Sequence, residues 1–69
     1  SKVGAFLMPK HLNMELLGAE VQIITDKGNG HEFEYLELAM ITSISTDGYY
    51  TAESESGEYD ITINDFTEV

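Results

Sequence analysis

The sequence predicts a mainly β fold: a small five-stranded barrel preceded by a short N-terminal helix. Three observations carry that expectation. Apolar and polar residues alternate in short runs, the period-two signature of a half-buried strand. Tight-turn signals such as Asp47-Gly48 and Ser56-Gly57 separate the runs. The chain has 69 residues and no cysteine, so it forms one modest core without a disulfide or thiolate–metal staple.

Residues 1–18 read as an N-terminal arm and a short helix, and residues 19–69 as the barrel. The arm is apolar across Val3, Phe6, Leu7 and Met8. Pro9 suits the first turn of a helix, Leu12 and Leu16 lie four apart on one face, and Gly18 suits its C-terminal stop. So short a helix holds only if docked. Residues 19–25 form the first strand, with Val21 and Ile23 on one side and Glu20 and Gln22 on the other. Residues 26–31 (DKGNGH) form a polar loop.

Residues 33–45 (FEYLELAMITSIS) are expected to be one long, bent central strand. Phe33 and Tyr35 share one parity, while Leu36, Leu38, Met40 and Ile44 share the other, so a bulge or bend is expected near Tyr35 and Leu36. A helix competes over residues 33–41, where Glu, Leu, Ala and Met are good helix formers. The flanking turn signals and the run Ile41-Thr42-Ser43-Ile44 favour the strand. Residues 49–54 (YYTAES) follow. Residues 59–64 (YDITIN) then place Tyr59, Ile61 and Ile63 inward and Asp60, Thr62 and Asn64 outward. A single turn at Asp65 and Phe66 leads to a last short strand.

Thirteen acidic residues face three lysines and no arginine, a formal charge of −10. Residues 20–69 carry twelve of the acids and only Lys27. That excess disfavours direct contact with nucleic acid or anionic membrane, both of which need cations on the protein. It favours a basic protein surface as partner. No run approaches the roughly 20 apolar residues of a membrane span, and residues 3–8 are too short for a signal-peptide core. A cytoplasmic protein is expected.

Catalytic and metal signals are weak. No serine sits in a nucleophile-elbow context, and no glycine-rich phosphate loop is present. His11 with Glu15, and His31 with Glu32, lack a recognised zinc spacing, so both histidines are expected to be solvent-exposed. Residues 60–65 lack the glycine and closing glutamate of a calcium loop. A non-enzymatic protein with no cofactor and no metal is expected.

The most specific feature is an acidic hairpin. Glu53 and Glu55 alternate on one strand, and Glu58 and Asp60 on the next. Same-face neighbours along a strand lie about 6.6 Å apart, so the four carboxylates form a patch, with Glu32, Glu34 and Glu37 close by. The candidate partner-binding set is Glu53, Glu55, Glu58, Asp60, Glu34 and Glu37, with Tyr49 and Tyr50 from an aromatic patch. The alternative is a solvated face that only keeps the chain in solution, with Val3, Phe6, Leu7 and Met8 serving contacts between copies of the chain.

The order of elements, with Gly18-Ala19-Glu20-Val21, Leu38, Ile44, Asp47-Gly48, Ile63-Asn64-Asp65-Phe66 and Val69, resembles the C-terminal barrel of the ribosome maturation factor P family. It resembles SH3-like and Sm-like barrels more distantly. The resemblance covers about 50 residues and bears on fold positions rather than function. It implies an SH3-like or Sm-like barrel and, by analogy alone, a ribosome-associated assembly factor. The glycine usual in the second strand of such barrels is absent, and so are the basic residues of Sm-like RNA binders. In size and charge the chain is similar to small acidic phage and mobile-element inhibitors, which imitate nucleic acid to occupy a basic groove.

Overall fold

The computed structural model describes residues 13–69. The arm at Val3, Phe6, Leu7 and Met8, and residues 10–12 of the expected helix, lie outside them. Of that helix the described part is one 3-10 turn, Met14–Leu16. Asn13 caps it, its side-chain oxygen accepting the Glu15 N–H at 2.9 Å. Leu17 is extended and Gly18 takes φ +83°, so the turn ends there. Its work is to lay Leu16 on the core.

Five antiparallel strands form one sheet: β1 (Glu20–Ile23), β2 (Leu38–Ile44), β3 (Tyr50–Ser54), β4 (Gly57–Ile61) and β5 (Phe66–Glu68). Their spatial order is β4-β3-β2-β1-β5, so β2 is central and β4 and β5 are the outer strands. Val21 and Ile23 point inward as expected and are fully buried. With them the core holds Leu16, Phe33, Ala39, Ile41, Tyr50, Ala52, Ile61 and Phe66. The inward set of the last expected alternation is narrower: Ile61 is buried, while Tyr59 and Ile63 are partly buried and pack on the rim of the core. Ile63 stands in the turn before β5 rather than in β4.

The central strand departs from expectation in two ways. It begins at Leu38, not at Phe33. Residues 34–37 make a tight turn, closed by the Glu37 N–H on the Glu34 carbonyl at 3.0 Å. Leu36 takes φ +69° there, a conformation that turns usually give to glycine. Two bonds hold it: the Leu36 N–H donates to the Ile23 carbonyl at 2.7 Å, and the Gln22 side-chain amide donates to the Leu36 carbonyl at 3.2 Å.

The second departure is parity. Ala39 and Ile41 face the core, and Leu38 and Met40 face outward. The extra residue is Thr42, where the pairing jumps from Ile41↔Ala52 to Ser43↔Thr51. A bulge turns two successive residues toward one partner position. It therefore brings Ile41 and Ile44, three apart, to the same side, with Ile44 packed against the core.

The β3–β4 hairpin turns on Glu55 and Ser56, with Ser54 opposite Gly57. Gly57 is required: it takes φ +127°, and a Cβ there would meet the Tyr59 hydroxyl at 3.1 Å and its ring at 3.2–3.3 Å. Asp47 and Gly48 form the other hairpin turn, as their sequence signals.

Candidate functional site

The outward face of the sheet is read from the ladders. Residues opposite each other on antiparallel strands share a face. Glu20 faces Met40, Met40 faces Glu53, and Glu53 faces Glu58. One row thus crosses β1 to β4 as acid, methionine, acid, acid. One step along, Thr51 faces Asp60 and donates its hydroxyl to that carboxylate at 2.9 Å. Glu53, Glu58 and Asp60 are exposed and lie together, as the sequence suggests. Glu55 stands in the turn at the end of this row rather than on the strand.

Glu53 and Glu58 are like charges directly across a ladder, an arrangement that costs stability. Among the described residues no cation pairs with either of them. Lys27 is the only lysine or arginine among the described residues, against thirteen acids. It is bound elsewhere, to Glu34 at 2.9 Å.

The other candidates separate from this patch. Glu34 serves Lys27. Glu32 is exposed in the loop before it. Glu37 is half-buried and turned to its own chain: its carboxylate accepts the Glu34 N–H at 2.8 Å, the Ser56 hydroxyl at 2.9 Å and the Ser54 hydroxyl. It ties the turn at residues 34–37 to the β3–β4 hairpin. Burial alone would raise the Glu37 pKa, but the hydrogen bonds from Ser54, Glu34 and Ser56 outweigh it and hold the carboxyl below its ordinary range.

That direction fixes a pH dependence. A carboxyl lowered by folding contributes stability that is complete above its unfolded value, near 4.5, and is lost as pH falls through the folded value. Glu37→Gln is expected to cost about 1 kcal/mol near neutral pH, after allowing for solvent screening. The difference from the unaltered protein should shrink as pH falls below about 4.5 and through the lower folded value. Paired urea titrations of the two proteins across that range measure it; a gap independent of pH would refute the role given to the ionised carboxylate.

Tyr50 is a correction. It is fully buried, its ring edge-on to Phe66 at 5.2 Å, and its hydroxyl accepts the Asn13 N–H at 2.7 Å. It cannot meet a partner. Adjacent strand residues face opposite ways, so Tyr49 is the exposed member of the pair. Tyr49 borders a shallow depression with Asp47, Thr62 and Asn64, at the opposite end of β3 from Glu55. The two tyrosines and the acids therefore do not form one site.

His31 is a second correction: it is 2% exposed, not solvent-facing. Its Nδ1 accepts the Phe33 N–H at 3.1 Å, so Nε2 carries the hydrogen and donates to Thr25 Oγ1 at 2.9 Å. Thr25 in turn donates to Asp65 Oδ1 at 3.0 Å. The chain of bonds pins the loop before β2 to the turn before β5. Among the described residues no three histidine or acidic side chains converge on a point where a metal could sit, and His11 lies outside those residues.

Sequence reasoning grouped Leu38 and Met40 on one face with Leu36 and Ile44 and did not single them out as surface residues. Each is about half exposed, at 49% and 52%, on the central strand. The available signal was the alternative parity of Ala39 and Ile41.

No known protein family, curated protein or solved structure matches the chain. Among the described residues no helix is long and apolar enough to cross a membrane.

Proposed function

We propose that this is a non-enzymatic binding module whose acidic sheet face docks on a basic protein surface and blocks a nucleic-acid-handling partner. The supporting observation is the row Glu20, Glu53 and Glu58 with Asp60 beside it, in which like charges stand directly opposite with no cation paired to them among the described residues. A fold that keeps such a pair accepts a cost in stability, and a basic partner removes that cost on binding. In this reading the sheet curls into a small SH3-like barrel, the chain works in the cytoplasm, and it touches neither nucleic acid nor membrane itself.

The test is capture from lysate on the full chain at about 50 mM and about 500 mM salt. A basic nucleic-acid-binding protein should be retained at the lower concentration and released at the higher, and added DNA or RNA should compete for it. Replacing Glu53, Glu55, Glu58 and Asp60 by their amides should abolish retention without weakening the fold. A charge-matched control at Glu15, Asp26, Glu32 and Glu68 should retain the partner. Equal loss in both variants would mean that net charge alone acts, and the reading would fail.

A further inference from the structure

The acidic row has an apolar spine. Leu38 and Met40 are outward residues of the central strand, where a solvated sheet face ordinarily carries polar side chains. Leu36, just before them in the chain, is 47% exposed as well. Shallow depressions lie on either side of Leu38: one is bordered by Glu20, Met40 and Glu53, the other by Glu34, Glu55 and Ser56. Apolar side chains thus run along β2 with carboxylates on both flanks.

The dimensions suit a helix. Strands in a sheet stand about 4.8 Å apart, so Glu20 and Glu53, one strand to each side of Met40, are separated by roughly 10 Å at the backbone. That is close to the width of an α-helix with its side chains, about 10–12 Å. Leu38 and Met40 lie about 6.6 Å apart along β2, comparable with the 5.4 Å pitch that separates successive ridge residues of a helix.

We infer that this face receives a basic amphipathic helix of a partner protein. Its apolar ridge lies along Leu38 and Met40, and lysines or arginines on its flanks reach Glu20 on one side and Glu53 and Glu58 on the other. Charge selects this occupant. A second copy of the chain would bring the same acidic row against its like, with Lys27 the sole cation among the described residues. A purely electrostatic partner would leave the leucine and methionine in water. The inference rests on the acidic-face reading above and adds the secondary structure and apolar character of what binds.

The probes are two synthetic peptides of identical composition, rich in leucine and lysine. One is ordered so that leucines fall on one helical face, and the other is scrambled so that they do not. Binding to the full-length chain is measured by calorimetry at low salt. The amphipathic peptide should bind at least about tenfold tighter than the scramble, and become helical on binding. Leu38→Thr with Met40→Thr should erase that preference while leaving the weak, salt-sensitive binding of the scramble intact. Both positions are exposed and threonine favours strands, so far-UV circular dichroism of this variant should match the unaltered protein. Glu53→Gln with Glu58→Gln should weaken both peptides. Equal affinity for the two peptides overturns the helix assignment and leaves the acidic-face reading standing. Failure of both peptides to bind overturns both. Displacement of the helix by a free peptide of residues 1–12 at comparable concentration assigns the face to the chain's own N-terminal segment and overturns the partner.

Discussion

Phe33→Ala should remove most of the stability of this protein. The ring is fully buried, meets Tyr59 edge-on at 5.0 Å and lies against the His31 ring at 5.4 Å. Truncating a buried phenylalanine to alanine costs about 3–5 kcal/mol, through lost transfer energy and the cavity left behind. A domain of this length holds roughly 3–10 kcal/mol in total. Phe33 precedes the turn at residues 34–37 and belongs to no strand, so its loss also frees the loop from the sheet it covers. Urea unfolding followed by circular dichroism should show a midpoint near zero denaturant for Phe33→Ala. Phe33→Leu keeps most of the volume and should cost under about 1.5 kcal/mol. A loss below about 1 kcal/mol in the alanine variant would mean that the loop is not part of the core.

The sequence made β1 easier to read than the central strand. Val21 and Ile23 alternate with Glu20 and Gln22, so only one face can be buried, and β1 follows directly. Asp47-Gly48 marks its turn because glycine supplies the φ of +100° found there. In β2 both parities are apolar. Leu38 and Met40 are larger than Ala39, and size favours the wrong face. What decides is the inward position of Val21, which pairs with Ala39 and so draws it to the core side. That is a tertiary fact; locally the parity of Ala39 and Ile41 is only one of two apolar alternatives. The bulge was foreseeable in kind, since Ile41 and Ile44 have opposite parity, but its place at Thr42 depends on the pairing with β3.

The acidic patch was legible for a different reason. A two-residue hairpin turn fixes its own register; the expected Ser56-Gly57 turn would set Glu55 against Glu58, and the observed turn at Glu55 and Ser56 sets Glu53 there instead. Glu37 was not legible, because its partners Ser54 and Ser56 are 17 and 19 residues away. Tyr50 and Tyr49 are chemically alike and adjacent, and only the choice of face separates the core residue from the exposed one. His31 stands among Gly28, Asn29 and Gly30, a polar context that conceals its burial.

The bonds from Phe33 through His31 and Thr25 to Asp65 should act as a unit. Each interior member both receives and passes on a hydrogen bond, so removing one strands a group on either side. Asp65 has most to lose: Oδ1 accepts from Thr25, while Oδ2 accepts the Thr62 N–H at 2.9 Å and the Thr62 hydroxyl at 3.2 Å. Its backbone carbonyl also accepts the Ile24 N–H at 2.8 Å, where β1 meets the turn before β5. Asp65→Ala is expected to cost about 2–4 kcal/mol, the sum of a lost charge-assisted bond and the partners left unsatisfied. Thr25→Val removes the hydroxyl that links His31 to Asp65 and should cost about 1–3 kcal/mol. The double variant should cost less than the two together, with a coupling of about 0.5–3 kcal/mol. Among the described residues strand β5 pairs only with β1, so amide exchange at Phe66 and Thr67 should quicken before that of β2 or β3. Strict additivity, with no change of exchange in β5, would mean that His31, Thr25 and Asp65 pack side by side without sharing a load. Coupling would instead identify this polar chain as a link that holds the last strand to the sheet beside the buried Phe66.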